Sequence, residues 1–346
     1  MTRVAEQTGC DQPTVSVSTI TYNHEKFIAK AIERVLMQET DFPVELVIGE
    51  DCSTDRTREI VMEYAARYPD VIRVLLPKRN RGLYQNWKAV SAVCRGEYIA
   101  YLEGDDYWVH PQKLLKQVRL MDANPHYSMC GSAARLVAMA PDDSEKNVGL
   151  ICPKITKSFY ELTDILGDYP MHTSTVVLRR SFVFLPVWME GTVNMDNCVF
   201  ALCAERGPIG YLPEITSCYR LHHNAVWTGK SHVERMNCWR KMYDLLDTHF
   251  NGRYRRLLRR REFRDSARVS RQLVEHGMSH EARAVYSASV PRFAGLMPLR
   301  VIGWGLAVYW GYGIRSAWHR LTMSLAVRSR LKTLIQRFQS MKVNQG

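Results

Sequence analysis

The stretch AYLEGDDYW, Ala100 to Trp108, decides how this chain folds and where its chemistry sits. Tyr98, Ile99, Ala100, Tyr101 and Leu102 form an apolar run, and Glu103, Asp105 and Asp106 follow it directly. Three carboxylates at the end of a buried strand repel one another and call for a counter-charge. Hard oxygen donors suit a divalent cation, Mg2+ or Mn2+, that bridges the protein and a diphosphate. Taken alone, the same acids also read as a turn, or as a cap for the helix that opens near Pro111.

Outward from this stretch the pattern alternates. TVSVSTI (14–20) reads as a β-branched strand. KFIAKAIERVLMQ follows, with Phe27, Ile28, Ala31, Ile32, Val35 and Leu36 on one helical stripe. VELVIGE (44–50) is a second buried strand, and TREIVMEYAARY a helix with Ile60, Val61, Tyr64, Ala65 and Tyr68 inward and Asp55 as its cap. VIRVLLP, a helix near 84–93 and EYIAYLEG continue the series. Such alternation predicts a mainly parallel sheet covered by helices, with ligands bound beyond the carboxyl ends of the strands. Those ends carry Tyr22-Asn23-His24, Glu50-Asp51 and Glu103-Gly104-Asp105-Asp106.

Other phosphate signatures fail. No GxGxxG follows the first strand. Gly229-Lys230-Ser231 ends like a Walker A loop, but position 224 is Asn224 rather than the required glycine. The nine cysteines are scattered without a CxxC pair, and residues 1–20 lack an apolar h-region. Reduced, mostly buried thiols in a cytosolic protein are expected, and no Cys/His set has zinc spacing.

The net charge of +12 is uneven. Residues 226–346 hold 23 Lys/Arg against seven Asp/Glu, and ten Lys/Arg follow Glu281 with no further acid. The tail, rather than the whole chain, is therefore built to meet something anionic. Residues 301–314 are uncharged, which is shorter than the roughly twenty residues a spanning helix needs. Trp304, Tyr309, Trp310, Tyr312 and Trp318, flanked by arginines, suit an interfacial segment on anionic lipid. A helical subdomain packed as core is the alternative for this stretch. Nucleic acid is not expected as a partner, because the apolar share is too high for a phosphate-tracking arm.

Three segments carry a resemblance: VSVSTITYNHEKFI, VIGEDCSTDRT and GEYIAYLEGDDYWVHPQKL are similar to successive motifs of the family 2 glycosyltransferases. The resemblance covers about residues 14–229 and implies an A-type glycosyltransferase fold, an α/β sheet flanked by helices, acting with inversion. It implies a catalytic nucleotide-sugar-binding domain over 1–229; the helical pattern beyond it predicts an extension over 230–291, and charge with apolar content a basic amphipathic membrane-surface segment over 292–346.

Roles follow from the resemblance position by position. Tyr22 would lie against the nucleobase, Asn23 would belong to the nucleotide-sugar site, Asp51 would bond the base or ribose, and Asn86 in NRGLYQNW would contact the nucleotide, with Arg81 offsetting phosphate charge. Glu103-Gly104-Asp105 stands for the family's Asp-x-Asp, with Asp105 on the metal and Glu103 on the ribose or the metal; Glu in place of the first Asp is a departure. Asp196, in GTVNMDNCVF, would be the base that takes the acceptor's proton, though it also reads as a helix cap. Arg220 and His222, in YRLHHNAVWTG, would reach the diphosphate or the metal. Trp87 and Trp108 read as packing.

The expected protein is an inverting, Mn2+- or Mg2+-dependent transferase. Its donor would be a nucleotide diphosphate-sugar, a UDP-sugar foremost, and its acceptor a glycan or polyprenyl-linked hydroxyl of envelope or capsule polysaccharide. It would sit peripherally on the cytoplasmic face of the membrane. The rivals are an inactive scaffold of the same fold that binds a membrane partner, and a Mg2+-dependent nucleotidyltransferase.

Overall fold

A computed structural model describes residues 12–293, apart from 141, 143, 154–156, 169–170 and 223–224. The chain divides into two compact units with the boundary between Lys230 and Ser231. The expected tail segment, 292–346, falls almost wholly outside the described residues.

The first unit runs β1 (Val15–Thr21), α1 (Ile28–Leu36), β2 (Val44–Glu50), α2 (Thr57–Arg67), β3 (Ile72–Leu75), α3 (Leu83–Val93) and β4 (Tyr98–Glu103). It continues with β5 (Tyr107–Trp108), α4 (Lys113–Asp122), β6 (Met129–Met139), β7 (Glu145–Ile151), β8 (Phe159–Tyr160), α5 (Leu162–Gly167), β9 (Val177–Arg179), α6 (Met195–Arg206) and β10 (Ile209–Leu221). One sheet has the order β3-β2-β1-β4-β9-β6-β10-β5. Its first four strands are parallel, as the strand–helix alternation requires. β9 runs antiparallel to both β4 and β6, and β10 is parallel to β6. β7 folds back on β6 as a hairpin.

β10 does not keep step with β6. Pro213 and Glu214, then Thr216, have no β6 partner, so β10 bulges twice before Ser217–Leu221. A proline that cannot donate to a ladder is tolerated at such a place.

The core follows the periodicities. Ile28, Ala31, Ile32 and Val35 give α1 a continuous buried stripe that packs on Val15, Val17, Leu46 and Ile48. Each such side chain, fully buried, contributes about 1.5–3 kcal/mol. Trp87 of α3 meets Tyr101 edge-to-face with centroids 4.8 Å apart, and Trp108 is buried, so both tryptophans pack as expected. The cap of α2 sits one residue beyond expectation at Arg56, yet an Asp55 carboxylate oxygen still accepts the Thr57 N–H.

Among the described residues the second unit holds α7 (His232–His249), α8 (Arg255–Glu275) and α9 (Ser279–Phe293). α8 begins at Arg255 and takes in most of the basic run 253–261, and it ends before Gly277, whose φ of 77° favours glycine. Met236, Val269, Leu273, Ala282 and Val285 form the core. Glu262 is wholly buried and lies 2.7 Å from Arg259 and 2.8 Å from Arg292. No helix among the described residues is long and apolar enough to cross a membrane.

Candidate active site

The acidic turn after β4 is held between β1 and β10. A Cβ at Gly104 would lie 2.6 Å from Thr21 Oγ1 and 3.0 Å from His24 Nδ1, so only glycine lets the turn approach β1 this closely. Gly104 N–H donates to the Ile20 carbonyl and Asp106 N–H to the Glu103 carbonyl, which fixes the turn from within.

The three carboxylates part company in this frame. Asp105 Oδ2 lies 3.1 Å from His222 Nε2 and 3.7 Å from His24 Nε2. Burial pushes Asp105 up, but the two imidazoles outweigh it and hold the carboxyl below the usual range. Asp106 is buried, accepts the Arg220 backbone N–H and lies 3.5 Å from His172 Nδ1. Burial and the neighbouring Asp105 raise it well above a normal carboxyl. Burial and Asp105 likewise push Glu103 up to about 8, and its Oε2 is buried with no hydrogen-bond partner among the described residues. One ligand atom from each of Glu103, Asp106 and His172 lies within 4.8 Å of the other two. Two hard oxygens, one of them orphaned, and an imidazole nitrogen suit a divalent cation of the Mn2+ class.

Asp196 occupies the first turn of α6, two residues past the cap residue Asn194. It is therefore not the cap of that helix. Its Oδ2 accepts from Thr173 Oγ1 at 3.2 Å and its Oδ1 from Asn197 Nδ2 at 3.3 Å. Thr173 lies one residue beyond His172, so a single 3-10 turn, Thr173–Thr175, joins Asp196 to the acidic cluster. His172 is held by stacking on Tyr219, with centroids 4.2 Å apart.

The nucleotide-side residues divide. Tyr22 presents its ring to solvent, 41% exposed, at the end of β1. Asn23 takes a φ of 55°, which asparagine tolerates, and its side-chain oxygen accepts from Thr54 N–H. That contact ties the β1 turn to the loop after β2. Asp51 is buried, and the backbone N–H groups of Arg81 and Gly82 donate to its two oxygens at 2.8 and 2.9 Å.

Two side chains sit elsewhere than the resemblance implies. Asn86 is buried in α3 and its amide donates to the Gly49 carbonyl, so its donor is spent on joining α3 to β2. Arg220 is 2% exposed, with Nε donating to Glu145 and Nη1 to the Asp105 carbonyl, so two of its guanidinium nitrogens are spent inside the protein.

His172 and Thr173 were not singled out from the sequence, and His24, placed at the first strand's end, was given no role there. His24 had a signal, because it directly follows Tyr22-Asn23 at the end of the first strand. His172 and Thr173 carried none, being brought in by the chain's return between α5 and β9.

The sequence model of Glycosyl transferase family 2 matches residues 16–172. A Mycobacterium tuberculosis protein, Rv1520, is 35% identical over 227 residues, which is 65% of this chain and 63% of the relative. The chain thus spans less than two thirds of that protein. A Bacillus subtilis protein named as a teichuronic acid biosynthesis glycosyltransferase, TuaG, is 34% identical over 221 residues, 63% of this chain and 83% of the relative. Among solved structures, Staphylococcus aureus TarS 1–349 with UDP-GlcNAc aligns with a TM-score of 0.57 and 18% identity over 85% of this chain and 87% of TarS 1–349. The Pyrobaculum calidifontis mannosyltransferase PcManGT, with GDP-Man and Mn2+, aligns with a TM-score of 0.52 and 14% identity over 93% and 84%. The fold is the A-type glycosyltransferase fold.

Proposed function

For a chain that belongs to glycosyl transferase family 2, as this one does, we propose inverting transfer of a sugar from a nucleotide diphosphate donor to an acceptor hydroxyl. The observation that carries the reading is the meeting of Glu103, Asp105 and Asp106 with Asp196 through the single 3-10 turn at His172–Thr173. One end gathers carboxylates where a cation and diphosphate would sit, and the other offers a carboxylate oriented by two donors.

Asp196 takes the acceptor's proton on a carboxylate oxygen as the acceptor oxygen bonds to the sugar's C1. Thr173 and Asn197 hold that carboxylate in place. The C1–oxygen bond to the diphosphate breaks and its electron pair leaves with the nucleoside diphosphate. Attack from the opposite face inverts the centre. Tyr22 lies against the base, and Asp51 orients the loop at Arg81 and Gly82 beside it.

Glu103, Asp106 and His172, whose ligand atoms lie within 4.8 Å of one another, would hold Mn2+ or Mg2+, with Asp105 and His222 joining them as the resemblance implies. When bound, such a cation neutralises charge developing on the leaving diphosphate. The donor sets in the TarS and PcManGT structures, UDP-GlcNAc and GDP-Man, support a nucleotide-sugar without choosing between uridine and guanosine. TuaG's name supports an envelope-glycan acceptor. Attachment of the basic tail to the inner membrane face completes the proposal.

Incubation of the full chain with UDP- and GDP-sugars, Mn2+ and a polyprenyl-linked acceptor tests it. Nucleoside diphosphate release with acceptor glycosylation is expected. Release of pyrophosphate would make the chain a nucleotidyltransferase, and donor binding without turnover a scaffold.

A further inference from the structure

Glu145, the first residue of β7, has no place in the chemistry above, yet three donors from separate elements converge on it. Arg220 Nε of β10 donates at 2.8 Å, Lys30 Nζ of α1 at 3.0 Å and Tyr107 Oη of β5 at 2.5 Å. The two cations also lie against the Tyr107 ring, Lys30 at 3.8 Å and Arg220 at 4.3 Å from its centroid. Arg220 lies 5.2 Å from the Phe27 ring as well. A carboxylate so surrounded is an anchor rather than a solvated surface acid.

What it anchors is the acidic turn. Arg220 Nη1 donates to the Asp105 carbonyl at 2.7 Å, and the Arg220 backbone N–H donates to Asp106 Oδ1 at 3.0 Å. Two residues along, on the same side of the chain, His222 faces the Asp105 carboxylate. Without Glu145, a buried guanidinium would lose its counter-ion and seek a carboxylate. Asp105 and Asp106 are the nearest acids its bonds already reach.

We propose that Glu145 is a positioning residue: it holds Arg220 in the geometry that keeps the Asp105–Asp106 turn open for its cation and donor, and stops Arg220 from filling that site itself. The inference rests on the reading of this turn as the metal and donor site. It makes the β6–β7 hairpin part of the active-site support.

The test uses the full-length protein and Mn2+ alone, with Glu145→Ala and Glu145→Gln. Loss of an outer support of this kind typically weakens metal binding by about 10–100-fold. Glu145→Ala should therefore bind Mn2+ at least about tenfold more weakly by calorimetry. Glu145→Gln, which keeps an acceptor for Arg220, should fall between it and the parent. Amide hydrogen exchange should speed up selectively at Gly104–Tyr107 and at Arg220. In turnover, kcat should fall while the acceptor KM stays. Unchanged Mn2+ affinity with unchanged exchange at the turn overturns the proposal. So does exchange that accelerates evenly over the whole first unit, which would mark a merely structural role. Faster local exchange in a protein whose parent form binds no Mn2+ would keep the positioning role and remove the metal reading. Should the alanine variant not fold, the glutamine variant decides by the same readouts.

Discussion

Asp105 Oδ2 and His222 Nε2 stand 3.1 Å apart across the gap between the β4 turn and the end of β10. The carboxylate that the proposed mechanism gives to a cation is thus already paired with an imidazole. A cation entering there meets a carboxylate that already has a partner, not a bare acidic hole. Asp105→Ala should remove Mn2+-dependent donor binding and lower turnover by roughly 10^2–10^3-fold, the scale of losing one preorganised charge contact. The fold should persist, because repulsion from Glu103 and Asp106 is relieved. Thermal shift with UDP-GlcNAc or GDP-Man, with and without Mn2+, is the measurement, and a near-parental rate would sink the metal assignment.

Asp196→Asn should leave donor affinity in place and cut transfer by roughly 10^2–10^4-fold, the usual contribution of a positioned base. Thr173→Val removes one hydrogen bond from that carboxylate, worth about 0.5–1.5 kcal/mol, and should cost about tenfold at most. Equal loss of donor affinity and transfer in the asparagine variant would mean that the carboxylate supports structure instead.

Acid should act through Glu145. Burial opposes its charge, but bonds from Tyr107, Arg220 and Lys30 more than offset it and lower the carboxyl to about 2. Since the folded value lies below the unfolded one, near 4.5, its stabilising contribution is present above pH 4.5 and is lost as pH falls towards 2. Melting temperature against pH should therefore fall less steeply over that window in Glu145→Gln than in the parent. Parallel curves would contradict the assignment.

Lys113 offers the opposite case. It is fully buried, donates to Gln117 Oε1 at 2.7 Å and lies 4.4 Å from the Trp108 ring. Burial lowers it from 10.5 to about 7, so between those values the unfolded chain holds the extra proton and stability rises with pH. Lys113→Met should stabilise the protein at pH 6–7 by about 1–3 kcal/mol, as apolar replacement of a buried charge often does. It should also flatten the rise. A lower melting temperature would show that the Gln117 and Trp108 contacts outweigh desolvation.

The tail can be tested with a cut set by the second unit. α9 runs to Phe293, and Arg292 forms ion pairs with Glu262 and Asp244, so truncation belongs after Phe293 and not at the expected 292 boundary. Residues 294–346 carry eight Lys/Arg and no acid. Each basic residue contributes about 1 kcal/mol near an anionic surface, an attraction that salt screens. Co-sedimentation with phosphatidylglycerol vesicles should be lost on truncation, and only partly lost in the full chain at high salt. A full chain that ignores such vesicles would leave the aromatic stretch as core.

The frame of this protein was legible because burial writes itself into periodicity. Val15–Thr21, α1 and Tyr98–Glu103 each carry a pattern that one kind of element satisfies, and the acids at the strand end stand out against it. Asp196 was legible only through family resemblance, since nothing local distinguishes it from a helix cap. Arg220 was legible only in part, for a physical reason. An arginine beside acids reads as a phosphate binder until its counter-ion is known, and that counter-ion, Glu145, lies 75 residues away on a hairpin. His172 was silent because its neighbours in space, Asp106 and Tyr219, come from the turn after β4 and from β10.

The two bulges of β10 bear on how this gene can vary. Three residues without a β6 partner are an odd number, and side chains alternate along a strand, so the stretch after Thr216 shows the opposite face to the one it would show unbulged. Arg220 and His222 owe their direction to that count. Glu214, thrown outward by the first bulge, can vary at the cost of its pairing with Lys116. Loss or gain of a single residue between 213 and 216 would turn Arg220 and His222 away from Asp105. In this segment the number of residues matters more than their identity.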